Sequence, residues 1–154
     1  MDTPGALGGG RPLFRAQLYV DGCDVCLDPE TAHNVRANLV AAGGRTYILG
    51  PQDTTRLGPA RVFDGHGCLA LYAPWGLRPP AEILEELREW MAAGLALAAA
   101  IGRLTTVAGG RPGLADGAPA DWWLVPHGPL HDPDALRMVR HIVRAGIRVG
   151  GQGR

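Results

Sequence analysis

The most reactive chemistry in this sequence belongs to two thiols three positions apart, in Cys23-Asp24-Val25-Cys26. Thiols at that spacing can close a small disulfide ring. A helix N-terminus would lower the pKa of the first and raise its thiolate population at neutral pH. The same pair could instead join His66 and Cys68, giving four soft or borderline ligands suited to tetrahedral Zn²⁺. A third reading needs no reactivity. If Asp21-Gly22 is a hairpin turn, Cys23, Val25 and Leu27 share one face of a strand and the thiols are small apolar fillers. Downstream, His127 and His131 flank Gly128-Pro129-Leu130 beside Asp132 and Asp134, where a carboxylate could orient an imidazole, although Pro129 makes the segment a loop. Arg137, Arg140 and Arg144 recur at helical spacing near His141. They read as a basic stripe, a phosphate or partner patch or a pairing surface for Glu82 to Glu89.

Composition removes several alternatives. The chain has 154 residues and 15 basic side chains, all of them Arg, with no Lys and no Ser. Schiff-base chemistry, a Walker-type phosphate lysine and a serine nucleophile are therefore excluded. A formal net charge of zero argues against a broadly basic nucleic-acid surface or a polybasic membrane anchor. The longest apolar stretch, Met91 to Ile101, is mostly Ala and Gly and falls short of the ~20 residues that span a bilayer. Three cysteines cannot all pair internally, which fits a reducing compartment, so the expectation is a cytoplasmic protein without a cofactor.

The elements that would position these groups alternate. Leu13 to Val20 reads as a strand, and Pro29 to Ala42 as a helix from the spacing of Ala32, Val35, Leu39 and Ala42, with Gly43-Gly44 stopping it. Arg45 to Leu49 reads as a strand, and Arg61 to Phe63 and Cys68 to Ala73 as two strands joined by an Asp64-Gly65 hairpin. Pro79-Pro80 opens one long helix reaching Ile101, with acidic residues near its start. Leu104 to Ala108 is a further candidate strand, Asp132-Pro133 opens a last helix, and Ala145 to Val149 is a last strand. Trp75, Trp90, Trp122 and Trp123 read as core or interface anchors. Helix–Gly–strand junctions at Gly43-Gly44, Gly102 and Gly146 predict an α/β fold, a mixed sheet of about five strands with helices packed on it. Residues 1–11 read as a disordered leader, 12–150 as one α/β domain with a long, mobile Gly/Pro loop at 109–120, and 151–154 as a tail.

The stretch Leu18 to Cys26 resembles the start of glutaredoxins and the wider thioredoxin-like group, and Gly58-Pro59-Ala60-Arg61-Val62-Phe63-Asp64-Gly65 is similar to their segment in which a cis proline precedes a hairpin. The resemblance covers residues 13–102. It implies that Cys23 attacks, Cys26 resolves and Pro59 shapes a groove for a protein or small thiol substrate. A fainter likeness, to nucleoside deoxyribosyltransferase-type domains, places Gly94 where that family has its nucleophilic glutamate, with Glu85 and Glu89 a turn or more away. Two function classes follow. One is a thiol-disulfide exchange protein; the other is a non-catalytic binding or assembly subunit with structural cysteines or a structural zinc, able to form a homo-oligomer through complementary charged patches.

Overall fold

The computed structural model describes residues 16–50, 61–106, 113–126 and 131–152. Residues 1–15, Pro59, His127 and the last two positions lie outside these segments, and with them the expectations placed on them.

The organising element is a long strand, β1 (Ala16–Asp28), which passes through Cys23 and Cys26 without a helix. Asp21-Gly22 does not turn the chain back. It makes an irregularity within β1, where Gly22 adopts a left-handed φ of 69° and a Cβ would stand 3.0 Å from the His66 ring. One edge of β1 pairs antiparallel with β2 (His33–Ala42). Its other edge pairs in parallel first with β4 (Arg61–Asp64) and then with β5 (Cys68–Tyr72). The expected Asp64-Gly65 hairpin is therefore a jog between two strands that follow one another along β1. Gly65 N–H donates to Asp21 C=O at 2.7 Å, and a Cβ on Gly65 would lie 2.7 Å from Val20 Cγ1 and 2.8 Å from Cys23 Cβ. Only glycine lets the two backbones approach this closely.

The expected helix over 29–42 is strand β2, joined to β3 (Arg45–Leu49) by Gly43-Gly44, whose φ values of 59° and 73° suit a two-residue type I′ turn. Ala145-Gly146, with φ values of 50° and 82°, makes the same kind of turn between β7 (His141–Arg144) and β8 (Ile147–Gly150). With β6 (Trp122–Pro126) the described residues form a mixed sheet of eight strands, not about five, in the order β3-β2-β1-β5-β6-β7-β8, with β4 on β1.

The two faces of the sheet are covered differently. The inner face folds over itself: Trp122 Nε1–H donates to Thr46 Oγ1 at 2.9 Å, and Gln17 Nε2 donates to Ala145 C=O at 3.3 Å. Leu18, Val20, Cys23, Leu39, Phe63, Trp122 and Leu124 pack there. Leu114, from the described part of the Gly/Pro loop, joins them, its N–H donating to Cys26 C=O at 2.9 Å, so this part of the loop is anchored against β1. The outer face carries α1 (Pro80–Ala92), α2 (Leu97–Leu104) and a 3₁₀ turn (Pro133–Met138) over Cys26, Leu69, Leu71, Trp123 and Val125.

The expected single helix is thus two. Gly94, at φ 110°, ends α1 with its N–H on Met91 C=O while Leu95 N–H caps Trp90 C=O. Leu104 closes α2 and begins no strand, and residues 107–108 fall outside the described segments. The helix expected from Asp132 stops after its 3₁₀ turn, because the β-branched Ile142 and Val143 enter β7. Among the described residues, no helix is long and apolar enough to cross a membrane.

Candidate functional site

Residues three apart on a strand point to opposite faces, and β1 shows no register shift between Cys23 and Cys26. Cys23 accordingly packs in the inner core and Cys26 in the outer core, each fully buried. Burial pushes both thiols up to about 12. Neither has a helix N-terminus to stabilise a thiolate, and both are free thiols. The proposed zinc ligands are likewise separated. Cys68 shares the inner face with Cys23, Cys26 is on the other, and His66 is exposed with its Nδ1 2.6 Å from Asp64 Oδ1. Backbone and side-chain hydrogen bonds from His66 lower the Asp64 carboxyl pKa. Among the described residues, no group of three or more His, Cys, Asp and Glu side chains could hold a metal ion.

The arginine stripe also comes apart, because its residues do not share a helix. Arg137 lies within the 3₁₀ turn 4.0 Å from Asp134, and Arg144 lies in β7 with its guanidinium over Gly76. Arg140 precedes β7 and reaches the inner face, donating from Nη1 to Cys68 Sγ at 3.6 Å. His131 is exposed.

The structure brings together a different set of residues on the outer face. Trp75, after β5, Trp90 on α1 and Arg103 on α2 wall an open recess of about 340 Å³, within the size range of small-ligand sites. Arg78 and Glu86 form its polar side, with Arg78 donating to Glu82 at 2.6 Å and to Glu86 at 2.9 Å, so this guanidinium is neutralised locally. Arg103 is not. Its guanidinium stands 4.6 Å from the Trp90 ring centroid, and among the described residues it has no carboxylate partner. Trp75 packs edge-on against Trp123 at 4.8 Å and 89°, and its buried Nε1–H meets no acceptor among the described residues.

The break at Gly94 creates this arrangement. On one straight helix Trp90 and Arg103 would stand about 20 Å apart, at about 1.5 Å of rise per residue; folding α2 back places the cation on the ring. Sequence reasoning identified the tryptophans as anchors but did not single out Arg103. The available signal was Gly94 within an otherwise helical run. Compared with protein-family models, with curated proteins and with solved structures, the chain matches none of them, so the reading of its function rests on this geometry.

Proposed function

We propose that this chain is a non-catalytic α/β binding protein whose cysteines serve as core packing and whose outer recess takes a small ligand with a planar face and a negative charge. The observation that carries this reading is Arg103, held over Trp90 at the wall of the recess with no carboxylate partner among the described residues. An aromatic wall accepts a planar ring, while the adjacent guanidinium fork pairs with a carboxylate or similar anion. The recess is open to solvent, so a ligand enters without the sheet moving. Thiol-disulfide exchange through Cys23 and Cys26, with a thioredoxin-like core, draws its support from the Cys-x-x-Cys spacing. Burial of the two sulfurs on opposite faces weighs against it.

Calorimetric titration with 1-naphthoate, using neutral 1-naphthalenemethanol as the comparison, tests the binding reading. Naphthoate should bind saturably, the alcohol more weakly, and Arg103→Gln should weaken naphthoate roughly tenfold by removing one charge-assisted contact. Equal affinity for both compounds, or binding indifferent to Arg103→Gln, would reject it.

A further inference from the structure

A second cationic cluster lies at one end of the inner face, away from the recess, and the proposed function does not use it. Its centre is His141, about 1% exposed, whose ring stacks on Phe63 at 4.5 Å and 16°. Three arginines from three elements converge on this pair. Arg61, at the start of β4, stands 5.1 Å from the Phe63 ring centroid. Arg148, on β8, donates from Nε to His141 Nδ1 at 2.8 Å and from Nη2 to Arg140 C=O at 3.3 Å. Arg140 extends from the approach to β7 to Cys68 Sγ.

Because Arg148 donates to Nδ1, that nitrogen is the acceptor and the imidazole is neutral, with its proton on Nε2. Burial and the charges of Arg148, Arg140 and Arg61 hold the His141 pKa down at about 4. Asp64 and Arg140 interact through their charges, but the Asp64 carboxylate is hydrogen-bonded to His66. Among the described residues Arg61 and Arg140 form no ion pair. A chain with no net charge has thus gathered three guanidiniums around one uncharged ring.

We infer that Arg61, Arg140 and Arg148 form a site for a phosphate-class dianion, either inorganic phosphate or the phosphoryl group of a phosphomonoester. Guanidinium forks from β4, β8 and the approach to β7, all near enough to His141 to act on it through their charge, match a tetrahedral oxyanion with several acceptor oxygens. Arg61 and Arg140 are exposed, so an anion reaches them without unfolding, while the contact with Cys68 orients Arg140 and the hydrogen bond to His141 orients Arg148. The anion would offset the mutual repulsion of the arginines, and His141 would sense it through the reduced positive field.

The test follows the His141 imidazole resonances by NMR at neutral pH while inorganic phosphate, and separately phenyl phosphate, is added to the whole protein; sodium chloride at matched ionic strength is the reference. The expected result is a saturable shift at His141 and an apparent His141 pKa raised from its anion-free value. Binding should fall by about tenfold or more in Arg140→Gln and in Arg61→Gln, and stay unchanged in Arg88→Gln, which removes a partner of Asp134 on the helix side. Should Arg140→Gln fail to fold, the exposed Arg61→Gln gives the same reading. Saturable binding of either compound at these arginines upholds the site, and the tighter one identifies the source of the phosphoryl group. A response reproduced by chloride, or one surviving both substitutions, overturns it. Neither result depends on the Trp75 and Trp90 recess.

Discussion

Two tryptophans on opposite faces of the sheet show how differently those faces are built. Trp122, on the inner face, is fully buried, and its N–H is met by Thr46 Oγ1, whose own hydrogen goes to Pro119 C=O at 3.1 Å. Trp75, on the outer face, keeps a buried N–H with no acceptor among the described residues, beside an open recess. Satisfying a buried donor avoids a penalty of about 1–3 kcal/mol, and the inner face avoids it while the outer does not. The difference teaches that the inner interior pairs its buried indole as part of a closed support. The outer face retains an unsatisfied group where a ligand is proposed to sit.

The comparison can be broken most forcefully at Trp122. Trp122→Ala should cost about 3–5 kcal/mol in a denaturant titration, because the cavity lies among strands packed on every side; a loss below 1 kcal/mol would mean that the inner face is not the support. Acid comes next. His141 has a folded pKa of about 4 against the usual 6.5, so the unfolded chain takes up the proton first. Its contribution is fully present above pH 6.5, is lost progressively as pH falls towards 4, and amounts to up to about 3 kcal/mol. His141→Phe should flatten that slope in stability measured across pH 4–7.

A smaller and more discriminating effect comes from Trp→Phe at both positions, which removes the N–H and keeps an aromatic ring. Trp122→Phe should lose about 1–2 kcal/mol by stranding Thr46, whereas Trp75→Phe should be neutral or gain up to about 1 kcal/mol. Equal losses in melting experiments would erase the distinction between the faces. Smallest of all is the expected difference between thiols. Native alkylation of Cys23 and Cys26 should proceed at the same slow rate, set by opening of the sheet, since both are buried with pKa values near 12. Faster labelling of Cys26 would show the helix layer opening on its own, and rapid labelling of Cys23 would restore the thiol-exchange reading.

Much of the strand content was legible in the sequence. The segments that became β3, β4, β5 and β8 were read as strands, as was the beginning of β1, and Pro79-Pro80 marked the start of α1 correctly. The error at β2 has a specific cause. Val35, Leu39 and Ala42 fit a helical interval, yet Ala37, Leu39 and Ala41 fit alternation equally well, and the structure buries that alternating set on the inner face. Gly43-Gly44 could not arbitrate, because a helix C-cap and a type I′ turn both require positive φ. The candidate site suffered from the same ambiguity. Cys-x-x-Cys brings two thiols together at a helix start and sends them to opposite faces on a strand, so the exchange and zinc readings put the sulfurs on one side, whereas the strand reading, with Cys23, Val25 and Leu27 on one face, agrees with the inner core. The recess depended on tertiary folding: Gly94 was visible, but where α2 would carry Arg103 was not.

The succession of β4 and β5 along a single edge of β1 also bears on the order in which the chain assembles. The β2–β3 and β7–β8 hairpins close through two-residue turns and need only near neighbours, and such hairpins form in about 1–10 μs. β1 has to recruit, in parallel, partners that begin at residue 61, and it does so in two registers separated by the glycine jog. Parallel pairing over that sequence distance carries a loop-closure entropy that local hairpins avoid, so the centre of the sheet is its slow step. The strand carrying the two cysteines is therefore closed early along the edge that meets β2, while its other edge stays open in a newly made chain until the middle segment has arrived.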